Sequence, residues 1–239
     1  MAVLLKWMLA VALAVAITGC GGGAKQDQTT TPQSAPAQET QVPTQIPASQ
    51  VDTRAVVAAF GDSLSAGLGL DAGQSYPDDL QRLIDAAGYR YRVENMGVSG
   101  DTTSDGVERL PSVLAAHPAI VILEFGANDG LRGQPVALSK QNLAKMIEAL
   151  QKNGGQIVLA GMTLPRNYGP EYIHAFEQIF PELAKQYKVV RIPFFLDGVG
   201  GVARLTQPDG LHPTAEGAAI VAHTVMHYLQ PLLKKDTRQ

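Results

Sequence analysis

Cysteine is almost absent: the 239-residue chain holds one, Cys20, close to its amino end. Everything after residue 20 therefore lacks disulfides, cysteine nucleophiles and thiolate metal sites. Charge is sparse and nearly balanced, with 19 Lys and Arg against 22 Asp and Glu and a formal net charge of −3. No basic stripe and no aromatic-interleaved Lys/Arg cluster occurs, which argues against a nucleic-acid partner. Long apolar runs are missing too. The longest, Trp7 to Ile17, has eleven residues, whereas a bilayer-spanning helix needs about 20. No internal repeat or second linker divides residues 51–239, which suffice for one domain with a full core.

That short apolar run, preceded by Lys6, has the build of a secretory signal. It ends in "ITGC", which resembles the lipobox of bacterial lipoproteins and implies lipidation of Cys20. Residues 21–50 are rich in Gly, Pro, Gln, Thr and Ser and carry no periodic apolar face, so a disordered tether is expected there, reaching roughly 30 Å. The expected organisation is a signal over 1–20, a tether over 21–50 and a folded domain over 51–239. This domain would be exported and lipid-anchored at the periplasmic face of a membrane.

Within the domain, strand-like apolar runs recur at 55–60, 91–96, 119–126, 156–161 and 188–195. Segments of helical period fall between them, one marked by Leu80, Leu83, Ile84 and Ala87, another by Leu143, Met146, Ile147 and Leu150. Strands apolar nearly throughout belong to a parallel sheet covered on both faces, so the spacing predicts a three-layer α/β/α sandwich with five parallel strands. In such sheets functional groups gather in the loops at the carboxyl ends of the strands. Those loops read "GDSLSAG", "GVSGDT", "GANDGLRG", "TLPRNYG" and "LDGVGG…QPDGLHP".

Ester hydrolysis by a serine needs a base, a group that orients the base, and donors for the developing oxyanion. Ser63 stands at the mouth of the first strand, where Gly61 ends the apolar run. Asp209 and His212 are the chain's one Asp-x-x-His pair. At that spacing the carboxylate can reach Nδ1–H within a tight turn and leave Nε2 free as a base. Pro213 is expected in the first turn of a following helix. Gly97 offers a backbone N–H unobstructed by a side chain, and Asn128 an amide; with the Ser63 N–H these make three donors. Asp62 is expected to bond nearby backbone N–H groups.

"GDSLSAG", "NMGVSGDT", "ILEFGANDGLRG" and "DGLHP" together resemble the four blocks of the SGNH (GDSL) hydrolases, and the likeness spans residues 55 to 230. With "LPRNYG" and "PFFLDGV" the chain is similar to the branch of thioesterase I, lysophospholipase L1 and arylesterase. The resemblance implies a flavodoxin-like fold, Ser63 as nucleophile, His212 as base, Asp209 as its orienter, and Ser63, Gly97 and Asn128 as the oxyanion hole. It implies no cofactor and no metal. Its substrates would be acyl esters, thioesters or lysophospholipids, taken in an apolar groove for which Leu164, Pro165, Tyr168, Phe194 and Phe195 are the candidates. Action as a monomer is expected.

Other readings fit less well. The α/β-hydrolase elbow requires Gly-x-Ser-x-Gly, but Ser65 occupies the last position, and that fold usually keeps its acid far from the histidine. "GLGLDA" matches a dinucleotide fingerprint, but its first glycine comes seven residues after Phe60 rather than at the strand's end. His223 and His227 lack the glutamate of a zincin helix, and Glu171-x-x-His174 is a single copy of a motif that di-iron bundles need twice. His117 reads as a loop residue. A non-catalytic lipoprotein, binding a ligand on the same fold, is the remaining alternative.

Overall fold

A computed structural model describes residues 52–235; the signal, the tether and Cys20 lie outside the described residues. Strands β1 (Ala55–Gly61), β2 (Tyr91–Asn95), β3 (Ile120–Glu124), β4 (Gln156–Ala160) and β5 (Val190–Ile192) form one sheet in the order β2-β1-β3-β4-β5, every pair parallel. All five residues of β3 are buried, as are six of the seven of β1, which is why these strands carry no alternation of polar and apolar residues.

Helices α1 (Ser63–Ala66), α2 (Tyr76–Ala86), α3 (Thr103–Ala115), α4 (Ala127–Leu131), α5 (Val136–Lys152), α6 (Pro170–Tyr187) and α7 (Ala215–Leu229) connect and cover the strands. They pack as two sets, α2 with α7 and α3 with α5 and α6, giving the three-layer α/β architecture. Most of the periodic residues fill the core as the 3.6 spacing requires: Leu80 and Ile84 of α2, and Leu143, Met146, Ile147 and Leu150 of α5, are buried, while Leu83 is half-buried and the half-buried Ala87 is the C-cap of α2.

Three local readings differ from the structure. The third strand covers the five residues Ile120–Glu124 rather than the eight of 119–126. The fifth strand is three residues long rather than the eight of 188–195, because Pro193 has no N–H to continue the ladder and Lys188, left-handed at φ 54°, with the Val189 N–H bonded to the Ala184 carbonyl, still belongs to the end of α6. The helix after His212 begins at Ala215, capped by the Thr214 hydroxyl on the Gly217 N–H (3.3 Å). Pro213 thus lies before the cap and not in the first turn; it pairs with Thr206 in an isolated antiparallel bridge.

The chain moves from β1 to β2 on one side of the sheet, then crosses to β3 on the other. This reversal opens a crevice at the carboxyl ends of β1 and β3, the place where ligands bind in open α/β sheets. Gly61 and Glu124 sit side by side in register at the lip of that crevice.

Candidate active site

Asp62 caps the four-residue helix α1 by accepting from the Leu64 N–H (3.0 Å), and Ser63 is the helix's first residue. This turn holds Ser63 Oγ 2.8 Å from His212 Nε2, across 149 residues of chain. His212 Nδ1 lies 2.6 Å from Asp209 Oδ2, while Asp209 Oδ1 accepts the backbone N–H groups of Leu211 (2.9 Å) and His212 (3.0 Å). The Asp-x-x-His spacing thus closes an Asx-type turn in which one carboxylate oxygen fixes the backbone and the other the ring. Burial opposes the charge on Asp209, but the two backbone N–H groups and the ring outweigh it, holding its carboxyl down at about 2. An ionised Asp209 retains Nδ1–H and leaves the Nε2 lone pair facing Ser63.

Asn128 lies in the first turn of α4, after β3. Its amide donates to the Asp101 carbonyl (2.9 Å) and to Asp62 Oδ2 (3.1 Å). The Gly97 N–H is likewise engaged, by Asn95 Oδ1 at 3.0 Å. Glycine is required at 97 because a Cβ there would stand 2.3 Å from the backbone nitrogen of Ala66, so the β2 loop is pressed against α1. The five expected catalytic and oxyanion residues therefore gather at the crevice from four loops.

Asp62 does bond the backbone as expected, yet it also links Ser63's turn to the Asn128 amide. It is 1% exposed, and burial raises its carboxyl to about 6, against the Leu64 N–H and the side chains of Glu124 and Asn128, which favour the charge. Between about pH 4 and 6 an unfolded chain has lost this proton while the folded one keeps it, so this group makes stability fall as pH rises through that window. Relative to wild type, the Tm of Asp62→Asn is accordingly expected to improve between pH 4.5 and 6.5. A Tm difference that stays constant or moves the other way contradicts this.

Several residues of the site were not singled out by sequence reasoning. Arg109 of α3 donates to Asp101 Oδ2 (2.6 Å), the Met96 carbonyl (2.9 Å) and the Gly61 carbonyl (3.1 Å), and its guanidinium lies 5.0 Å over the Phe60 ring. It ties the ends of β1 and β2 together with a planar fork that lysine does not have. Asn95 Nδ2 donates to the Ser65 carbonyl (2.8 Å), and Gln207 Nε2 donates to the Leu68 and Pro213 carbonyls (2.7 and 2.9 Å), clasping the Ser63 loop to the His212 loop. Nothing local in the sequence marks these three. Glu124 carries a visible signal, a lone acid in the apolar run "IVILEFG".

A solvent-open pocket adjoins Ser63 and His212. Of the five expected groove residues it includes one, Phe195; its other apolar walls are Leu64, Leu68 and Leu70 after β1, Ala218 and Val221 of α7, and Tyr76 and Pro213. Leu164 is buried against Gly130. Tyr168, three residues beyond the exposed Pro165, donates its hydroxyl to the Leu131 carbonyl (2.8 Å), and the half-buried Phe194 packs near Gly200. Periodicity and loop position could not separate these roles, because an aromatic beside a strand end serves core and groove alike. His117, His174, His223 and His227 are exposed, and no cluster of three potential metal ligands occurs among the described residues.

A serine, a histidine and a carboxylate in series, with amide donors at the same crevice, define a serine-hydrolase type of site. A model of the GDSL-like lipase/acylhydrolase family matches residues 59–220. The chain is 46% identical over 174 residues to esterase TesA of Pseudomonas aeruginosa, covering 72% of this chain and 87% of that protein. It is 36% identical over 179 residues to thioesterase 1/protease 1/lysophospholipase L1 of Escherichia coli K12, covering 74% of this chain and 85% of the relative. A crystal structure of TesA superposes with a TM-score of 0.72 at 45% identity, covering 74% of this chain and 99% of that one. The chain belongs to the GDSL-like lipase/acylhydrolase family. Within it the chain falls in the thioesterase I branch of the SGNH hydrolases, and it is a carboxylic ester hydrolase.

Proposed function

We propose that the chain hydrolyses acyl esters, lysophospholipids among them, through an acyl-enzyme on Ser63. The observation that carries this reading is the continuous relay Ser63 Oγ to His212 Nε2 (2.8 Å) and His212 Nδ1 to Asp209 Oδ2 (2.6 Å). As Ser63 Oγ bonds to the acyl carbon, its proton passes to His212 Nε2, and Asp209 stabilises the imidazolium that forms. The carbonyl oxygen becomes an oxyanion, received by the Ser63 and Gly97 N–H groups and the Asn128 amide. His212 then returns the proton to the leaving alcohol as the C–O bond breaks. Water, deprotonated by the same nitrogen, cleaves the acyl-serine and restores the serine.

A fluorophosphonate probe tests the assignment: one adduct per chain is expected, on the peptide holding Ser63, and a chain left unlabelled or labelled on another serine overturns it. Asn128→Ala is expected to lower kcat on a p-nitrophenyl ester roughly 10²–10³-fold, the usual cost of one oxyanion donor. A loss below about threefold would remove Asn128 from the hole. The non-catalytic alternative finds no support among relatives named as esterases.

Export and lipidation at Cys20 rest on the sequence alone. A lipid-anchored enzyme outside the cytosol meets lysophospholipids and exogenous esters rather than acyl-CoA. Metabolic labelling with a fatty acid is expected to mark the wild type and not Cys20→Ala; equal labelling of both refutes the anchor. All the proposed machinery comes from one chain, which suits action as a monomer. A chain-length series of p-nitrophenyl esters beside lysophosphatidylcholine and an acyl thioester ranks the substrates.

A further inference from the structure

Glu124 ends the central strand β3 directly beneath the Ser63 turn and is fully buried. Its Oε2 accepts the Asp62 N–H (3.2 Å) and the Ser65 hydroxyl (2.8 Å), and the Tyr76 hydroxyl, 3.2 Å from Ser65 Oγ, donates to that oxygen in turn. Its Oε1 is buried without an N–H or O–H partner among the described residues. Ionised, such a carboxylate would leave a bare charged oxygen in the core, at a cost far above that of a neutral acid. The titratable groups facing it are Asp62 at the end of β1, Tyr76 of α2 and, beyond Asp62, His212; Arg109 of α3 is engaged by Asp101, Met96 and Gly61. None supplies Glu124 with a fixed positive charge. The Asp62 N–H on Glu124 Oε2 sets the two carboxyl groups beside each other in the core, where two neighbouring acids cannot both carry charge cheaply.

The packing around this carboxyl is tight. A Cβ on Gly61 would lie 2.3 Å from Glu124 Oε2 and 2.3 Å from Ser65 Oγ, so the glycine before Asp62 exists to seat it. Burial and then the neighbouring charge of Asp62 push the Glu124 carboxyl well above the usual range.

We propose that Glu124 is a positioning residue for this hydrolase, held as the neutral acid with its hydrogen donated to the Asp62 carboxylate. Through Asp62 it fixes the Asn128 amide and the backbone that carries Ser63. The inference rests on the reading of the site given above. Glu124→Gln reproduces both functions of the neutral acid, an oxygen that accepts from Asp62 N–H and Ser65 and an N–H that donates to Asp62. Glu124→Met keeps the length and loses both.

At pH 7.5 on a p-nitrophenyl ester, Glu124→Gln is expected to keep kcat within about threefold of wild type, as when one buried bond replaces a similar one. Glu124→Met is expected to lose roughly 10²-fold in kcat, the scale of a lost oxyanion donor, with KM nearly unchanged. A drop in Glu124→Gln as deep as that in Glu124→Met, or full activity in Glu124→Met, overturns the proposal. Infrared spectroscopy reads the proton without relying on either variant's rate: wild type at pH 7.5 shows a protonated-carboxyl band that Glu124→Gln lacks, and its absence from wild type is equally fatal. Ser63→Ala is assayed alongside. If it stays active, the reading of the site fails; if it is inactive while Glu124→Gln fails, only the Glu124 assignment falls.

Discussion

Ser63→Ala is expected to lower kcat on a p-nitrophenyl ester by roughly 10⁴-fold or more, leaving only what binding and the oxyanion donors supply. No neighbour can substitute for it. Ser65, two residues on, is fully buried, and its hydroxyl is committed to Glu124 at 2.8 Å. The fold should barely register the change, because it removes one partly buried hydroxyl and one hydrogen bond to a side chain, a loss of about 0.5–1.5 kcal/mol that moves Tm by only a few degrees in a domain of this size. A steady-state assay beside a thermal melt decides it. Turnover near the wild-type rate in a correctly folded Ser63→Ala protein would end the nucleophile assignment.

His212→Ala should come close to the same loss, because the base and the nucleophile act as one unit. The double variant with Ser63→Ala is therefore expected to be no slower than the worse single one. Asp209→Asn is the more revealing change. The carboxylate accepts Nδ1–H of the ring at 2.6 Å and is held ionised by backbone N–H groups that asparagine can also engage. The turn should persist, but an amide can donate to Nδ1, which moves the ring proton to Nε2 and removes the acceptor that Ser63 needs. A fall of roughly 10³–10⁴-fold in kcat with little change in KM is expected. A variant that loses less than tenfold would show the ring needs no orienting partner.

The sheet was legible because its chemistry is local. Val56 to Phe60 and Ile120 to Leu123 are buried on both sides of the sheet, and only a covered parallel sheet accommodates such runs. The contacts among Ser63, His212 and Asp209 were legible partly because the strand-end serine and the Asp-x-x-His spacing are local features, and partly because four loops, in order along the chain, resemble the SGNH blocks. Arg109, Asn95 and Gln207 were not, since their importance lies in carbonyls that another segment brings to them: Arg109 reaches Gly61 across 48 residues, Gln207 reaches Leu68 across 139. The groove was the weakest reading. The pocket draws most of its apolar walls from the β1 loop and α7, segments whose leucines and valines read as ordinary core. The eight-residue fifth strand overlooked that Pro193 stops a ladder.

The amides of Gly97 and Asn128 already have acceptors within the protein, Asn95 Oδ1 for the first and Asp62 Oδ2 and the Asp101 carbonyl for the second. In the proposed hole, an incoming oxygen must compete with these resident partners. A neutral ester carbonyl is a poorer acceptor than a carboxylate and has little power to win that exchange, whereas the full negative charge of the tetrahedral adduct does. The cradle would therefore grip weakly while substrate docks and strongly as the barrier is crossed. Such selectivity speeds turnover without trapping the reactant in a deep well.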